Sequence, residues 1–383
     1  MNRLTMIQER LLRIGVLQLA RFGALSRRAA LALMIALTAV TAWYPAVQSY
    51  AATSSVPESI PTSGKTFWLT FLQNIDAAVD DTSLKLELMA VPTADGSVTM
   101  TTADGSESVT KTLSAGVAMV YEIPIAWRAK VYNTESDVVR SKGLYVESDV
   151  DIVLYMRSCK YNDELISSSD YTQVFPVKAL GQDYVAHVYY RDKINTEIAI
   201  VATEPGTEIT VVTTCRTVAS GGSMQTPPQT KTMTLGRGEV YMLKGEAYRG
   251  AYKQNLSGTT IGASKPVAVF NGNMKAVLPY ATGSFEGDHL FEQALPVKAW
   301  GKRYVLMNMS AFPDAAVNTN SESYHPTEFA VTAIYDTTIV KVNGELIDTL
   351  NAGETTSMYG PLQISMAWGE TPKLLEASEP VIV

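Results

Sequence analysis

Past residue 66 the chain is written in short alternations. Leu84, Leu86 and Leu88 alternate with Lys85 and Glu87, and Ile209 and Val211 alternate with Glu208 and Thr210. A period of two sends one set of side chains into a core and the other to water, which is the pattern of a half-buried strand. Turn pairs punctuate these runs at Asp95-Gly96, Asp104-Gly105 and Asn343-Gly344. The last lies between IVKV and ELI and predicts a tight hairpin, because both central residues of a type I′ turn need positive φ. After residue 52 no helix-length run carries apolar residues at i, i+3, i+4 and i+7. The body of the chain is therefore predicted to be β.

Several elements recur in fixed order, and self-similarity constrains architecture more than any single segment does. Pro176-Val177-Lys178-Ala179-Leu180-Gly181 returns as Pro296-Val297-Lys298-Ala299-Trp300-Gly301, and both copies continue to a Tyr-Val pair at Tyr184-Val185 and Tyr304-Val305. TEIAIVATEPGTEITV from Thr196 is echoed by TEFAVTAIYDTTIVKV from Thr327. A Leu-x-x-Gly-Glu element follows at Leu235 to Glu239 and at Leu350 to Glu354, then Ala-Ser-x-Pro-Val-x-Val at Ala263 and Ala377. A weaker first copy is traced through GKTFWLTF at Gly64, LELMAVPTADGSVTM at Leu86, TKTLSAG at Thr110 and KGLYVESDVDIVLY at Lys142. Units of roughly 115 residues with six or seven short strands suit a β-sandwich better than a propeller blade. The predicted fold is all-β: tandem, sandwich-like antiparallel units in three related copies, after an N-terminal signal helix. The expected division is 1–51 signal, 52–65 linker, and units over 66–160, 161–275 and 276–383. The last residue falls in mid-strand, so the chain is expected to be part of something longer.

The N-terminus adds a compartment. Ala29 to Trp43 is uncharged, follows Arg27 and Arg28, and leads to the small residues of SYAA. This is the three-part export pattern, with a cut expected between Ala51 and Ala52. The competing reading is a retained anchor. Fifteen helical residues, however, cover only about 22 Å of a hydrocarbon core of about 30 Å, and Pro45 interrupts any extension.

Charge then narrows the partners. The 383 residues hold 31 basic and 38 acidic side chains, and 18% are charged against 46% hydrophobic. Six basic residues and one acidic one lie in 1–51, so the remainder has 25 basic against 37 acidic groups, a net charge of -12. A body this acidic excludes sequence-independent nucleic-acid binding, which needs cations to release phosphate counterions. The two cysteines, Cys159 and Cys215, make no disulfide framework. Pairing with each other and separate burial both remain open on sequence alone.

Reactive chemistry is sparse. Gly64-Lys65-Thr66 lacks the earlier glycine of a phosphate loop, since Ser59 stands there, and a strand rather than a helix follows. His187, His289 and His325 are too widely spaced for a zinc motif. Asp80-Asp81 and Asp149/Asp151 offer carboxylates without EF-hand spacing and are expected to be exposed acids. Asp288 and Glu292 could pair as acid and base around His289, yet no nucleophile motif accompanies them, so all three are expected to be structural. Trp300, its counterpart Leu180 and Trp68 are expected to fill the core where units meet. The nineteen tyrosines, among them Tyr189-Tyr190, Tyr248 and Tyr252, are either core or a contact surface.

The run DHLFEQALPVKAWGKRYV from Asp288 to Val305, preceded by SKPVAVFNGN at Ser264, resembles the signature of the IgG Fc-binding domain family, which is widespread in secreted bacterial proteins. FPVKALGQDYV, GTEITV, the Leu-x-x-Gly-Glu turn and the opening FWLTF resemble that family in order and spacing, over about residues 64 to 383. The resemblance implies a secreted or cell-surface, non-enzymatic binding or adhesion module that recognises an extracellular protein or glycan. It implies no cofactor, no nucleic acid and no membrane span in the mature chain, with further domains expected beyond residue 383. Its motif positions, Asp288, His289, Glu292, Gln293, Pro296, Trp300, Gly301, Pro176 and Gly181, are read as structural. Two alternatives stand beside it: an exported glycoside hydrolase or other hydrolase using Asp288 and Glu292, and a structural spacer in a larger surface protein.

Overall fold

The computed structural model describes residues 59–75, 77–163, 165–189, 195–219, 224–225, 227–246, 255–276, 287–308, 327–356, 364–366 and 370–383. The expected signal of 1–51, most of the linker, His325, Tyr190, Tyr248 and Tyr252 lie outside them.

In chain order the first strands are β1 (Gly64–Leu69), β2 (Leu84–Pro92), β3 (Gly96–Thr102), β4 (Ser108–Leu113) and β5 (Met119–Glu122). One helical turn, α1 (Ile125–Arg128), precedes β6 (Val138–Arg140), β7 (Leu144–Asn162) and β8 (Leu165–Val174). Then come β9 (Gly181–Val185), β10 (Thr196–Ala202), β11 (Thr207–Val212), β12 (Thr217–Val218), β13 (Met224–Gln225), β14 (Thr230–Leu235), β15 (Val240–Gly245), β16 (Thr260–Ala276) and β17 (Asp288–Gln293). The last group is β18 (Gly301–Leu306), β19 (Thr327–Phe329), β20 (Thr332–Ala333), β21 (Thr338–Val342), β22 (Glu345–Leu350), β23 (Ile364–Met366) and β24 (Lys373–Ile382). Among the described residues helix is confined to α1 and two 3-10 turns, so the protein is nearly all β, and every ladder between these strands is antiparallel.

The predicted alternation is realised. Leu84, Leu86 and Leu88 on β2 are fully buried while Lys85 and Glu87 between them are not, and Ile209 and Val211 on β11 behave likewise. Asn343 and Gly344 both have positive φ, at 50° and 83°, and close the β21–β22 hairpin.

Three long strands organise the sheets. On β7, residues 144–148 run between β1 and β3, whereas residues 152–160 run between β2 and β8. On β16, residues 260–263 lie between β9 and β11, and 267–273 between β10 and β17. On β24, residues 373–377 pair with β18 and β21, and 381–382 with β20. Each strand thus passes from one layer to the other, with a register shift where its pairing with the opening strand resumes. Strands that switch sheets at a bend make the corners of a sandwich. β8, which lies within 161–275, pairs with β7, and β17, which lies within 276–383, pairs with β16.

The second, ten-stranded sheet is wedged between two cores. On β10, Ala199 and Val201 join the cluster of Phe67, Leu88 and Val146, while Ile198 and Ile200 join that of Tyr184, Ile209 and Val267. β15 and β16 divide in the same way, with Val240 and Phe270 on one side and Tyr241 and Val269 on the other. This is why β10 and β15 read as continuous apolar runs: both faces are covered.

The two Pro-Val-Lys-Ala segments share one conformation. Each forms a 3-10 turn, Val177–Ala179 or Val297–Ala299, between extended residues whose dihedrals agree within about 15°. The Tyr184 hydroxyl accepts from the Gly181 N–H at 2.9 Å and donates to the Val267 carbonyl at 2.8 Å. The Tyr304 hydroxyl does the same with Gly301 at 2.9 Å and Val381 at 2.5 Å. We expect Tyr184→Phe to cost about 1 to 3 kcal/mol in urea denaturation, since it strands a buried donor and acceptor. Tyr304→Phe should cost less, because Tyr304 is only partly buried.

Candidate functional site

The family motif builds a seam between sheets. β8 runs alongside β17, and alternate residues of β8 offer side-chain acceptors to alternate amides of β17. Ser168 Oγ accepts from the His289 N–H at 2.9 Å, Asp170 Oδ2 from Phe291 at 2.8 Å and Thr172 Oγ1 from Gln293 at 3.2 Å. Two bonds return: Asp288 Oδ1 accepts from the Ser169 N–H at 2.6 Å, and Gln293 Oε1 from Phe175 at 2.6 Å. His289 is fully buried and stacks on Phe291 at 5.2 Å, and desolvation holds its imidazole down to about 3, so it stays neutral. Asp288 and Glu292, four residues apart on one strand, stand roughly 13 Å apart at about 3.3 Å per residue. That exceeds the roughly 5 to 9.5 Å at which paired carboxylates hydrolyse glycosides.

The prolines and glycines of the motif make close contacts. A Cβ on Gly64 would lie 2.6 Å from Pro176 Cβ, and one on Gly181 would lie 2.5 Å from Pro296 Cβ. Trp300 is buried, with its Nε1–H donating to the Leu295 carbonyl at 3.2 Å, and Leu180 is buried in the core shared with Phe67. Gly301 opens β18 with its N–H on Tyr304. Cys159 and Cys215 are both unpaired and buried, and burial pushes the Cys215 thiol up to about 12. His187 Nδ1 meets Thr332 Oγ1 at 2.7 Å. Asp81 is occupied by Ser83 and Lys160, and Asp149 by Ser97. Among the described residues no group of three or more His, Cys, Asp or Glu side chains is placed to hold a metal.

A cleft of about 360 Å³ opens where the turn between β14 and β15 meets the first sheet. Trp68, Tyr145, Thr99, Thr101, Glu147 and Arg237 line it. The turn approaches backbone first. The Gly143 N–H donates to the Gly238 carbonyl at 2.9 Å, and a Cβ on Gly238 would lie 2.7 Å from the Trp68 ring. Gly238 also holds φ at 75°, a conformation glycine adopts freely. The turn therefore lays Arg237 across two rings that are 5.0 Å apart: its guanidinium sits 5.5 Å from the Trp68 ring and 5.0 Å from Tyr145. Burial first, then Glu147, hold the Tyr145 phenol above its ordinary range, and Arg237 opposes them. Arg237 itself is exposed, with part of its donor fork on the Tyr145 hydroxyl.

Sequence reasoning placed Trp68 in a core and passed over Tyr145 and Arg237. Their signal was an arginine between the two glycines of Leu235-Gly236-Arg237-Gly238-Glu239, where the matching turn has Ala352.

A family model described as IgGFc binding protein matches residues 170–383, more than half of the chain. The chain belongs to the IgGFc-binding protein family. The human IgGFc-binding protein is 24% identical over 283 residues, a match that covers 70% of this chain and 5% of the human protein. The crystal structure of the PBSX exported protein XepA aligns at 10% identity over 56% of this chain and 87% of that one, with a TM-score of 0.14. Within the family region lie β17, the Asp170 to Val174 part of β8 and Arg237, whereas Ser168, Ser169, Trp68 and Tyr145 come from the chain before it. Among the described residues no helix is long and apolar enough to cross a membrane.

The seam has a titration signature. Asp170, partly buried between β8 and β17, is pushed up to about 6 by desolvation and by Asp288, against its bonds from Phe291 and Tyr171. A carboxyl raised in the fold favours the folded state while protonated, so that contribution is lost as pH rises from about 4 through 6. Asp170→Asn keeps an acceptor oxygen and removes the charge. Urea denaturation should show the variant gaining stability relative to wild type between pH 4 and pH 7; a parallel pH dependence would contradict this.

Proposed function

We propose that this chain is a secreted or cell-surface binding module, without enzymatic activity, that recognises an extracellular protein or glycan through the Trp68–Tyr145–Arg237 cleft. The observation that carries the reading is the contrast between two junctions of like design. Register aligns Trp68, opposite Tyr145, with Val185, opposite Thr260, and the turn aligns Arg237 with Ala352. Gly258 meets Gly353 backbone to backbone as Gly143 meets Gly238. Stacking is thus achieved at the second junction with small and aliphatic residues, so Tyr145 and Arg237, set over the core residue Trp68, exceed what seating the turn requires. A planar cation over two rings, flanked by hydroxyls and a carboxylate, presents both stacking area and directed donors.

This reading includes three copies of one unit. It is supported by the three layer-switching strands and by the matched Gly64–Pro176 and Gly181–Pro296 contacts. Strand pairing favours breaks near Pro176 and Pro296 over breaks at residues 160 and 275. Export rests on the N-terminal pattern of Arg27-Arg28, an apolar run and SYAA.

Binding of the purified protein to immobilised IgG Fc, to mucin glycoprotein and to a glycan array tests the proposal. One class should bind, and Arg237→Ala should weaken that binding by about tenfold or more while thermal stability changes little. Binding to none, or binding indifferent to Arg237, would defeat it.

A further inference from the structure

A second cluster lies deep between the first two sheets and takes no part in the cleft. Lys244, on β15, is almost wholly buried, and so is Glu197 on β10, its partner across the β10–β15 ladder. The Lys244 Nζ stands 3.2 Å from Glu197 Oε1 and donates to the Thr134 carbonyl at 3.1 Å, with the Met274 sulfur at 3.8 Å. It also donates to Gln73 Oε1, on the segment that leaves β1. Neither Glu197 oxygen makes a hydrogen bond of good geometry, so a fully buried carboxylate is left with the Lys244 amine and the backbone N–H of Gln73 as its polar neighbours.

An ion pair buried this deeply is costly to hold, because both charges are desolvated and their mutual attraction and few hydrogen bonds must offset that loss. Desolvation pushes the Glu197 carboxyl up to about 7 even with Lys244 beside it. A proton passing from Nζ to Glu197 would leave no charge buried and would free the amine lone pair. The Gln73 carbonyl carbon is then one bond from the atom that Nζ already touches, with reacting groups prepositioned as an intramolecular reaction requires.

We propose that Lys244 and Gln73 become joined by an amide bond within the folded chain, with Glu197 carrying the proton. Nζ, having given a proton to Glu197, attacks Gln73 Cδ, and the Cδ–Nζ bond forms. The Cδ–Nε2 bond breaks as Glu197 returns that proton to Nε2, which leaves as ammonia, and Glu197 takes the second proton from Nζ. The product is a neutral secondary amide beside a carboxyl, and no oxidant, metal or second substrate enters the balance. The bond ties the chain just after β1 in the first sheet to β15 in the second, so that pulling on the N-terminal side loads a covalent strut.

Intact-mass measurement of the purified full chain, with peptide mapping, tests this directly. The expected result is a protein lighter by one ammonia and a branched peptide joining the Gln73 and Lys244 segments. Lys244→Arg and Glu197→Ala should each abolish the branch and restore the mass. Linear peptides with Gln73 intact and Lys244 free, recovered from the unsubstituted protein, would overturn the assignment whether or not the variants fold. So would an ammonia loss mapped to an asparagine, and a branch persisting in Glu197→Ala would overturn the role given to that carboxyl.

Discussion

Where two sheets meet without a shared ladder, every buried N–H and C=O still needs a partner, and this requirement governs the structure. The outer edge of β17 meets it with side chains. Ser168, Asp170 and Thr172 take the amides of His289, Phe291 and Gln293, and Asp288 and Gln293 reach back to Ser169 and Phe175. Fixing that edge fixes β16, and β16 carries β10 and β15 between two cores. A polar strand of serines, aspartate and threonine is therefore what allows the most apolar strands of the protein to be buried on both faces.

The junctions are made by omission as much as by contact. Gly143 and Gly258 admit the backbone of a neighbouring turn where any Cβ would collide, at 2.5 Å and 1.9 Å from a carbonyl oxygen. Gly64 and Gly181 admit a proline ring in the same way. Because the seating is done by backbone, the remaining turn residue is free of structural duty. Arg237 occupies that free position, with its guanidinium over the Trp68 and Tyr145 rings of the β1–β7 pair.

Much of the fold could be read from residue order. Leu84, Leu86, Leu88 and the Asn343-Gly344 hairpin declared themselves through period and turn chemistry, since both are local properties. The pairing of β8 with β7 and of β17 with β16 was not legible, because Ser168 to Thr172 reads as exposed and only the meeting of two edges gives it a use. The cleft was half legible: Trp68 stood out, but Tyr145 looked like any strand tyrosine and Arg237 like a solvated turn. Lys244 and Glu197 carried a local clue, a charge set within an otherwise apolar run, whose meaning depended on which strand lay opposite.

The placement of Arg237 also bears on how selectivity could arise on a protein whose formal net charge is -7. The summed field of such a body repels anions at a distance, and at physiological salt a single cation is screened beyond about 8 Å. Arg237 therefore contributes little to long-range steering. At contact its position changes, because the Trp68 and Tyr145 rings hold the guanidinium plane and so reduce the rotamer freedom lost on binding. At the proposed site a partner would be recognised by fitting that guanidinium beside Glu147 and the Thr99 and Thr101 strand, and not by its total charge. That favours ligands with many directed polar groups and modest charge, such as a sugar face or a protein loop, over polyanions.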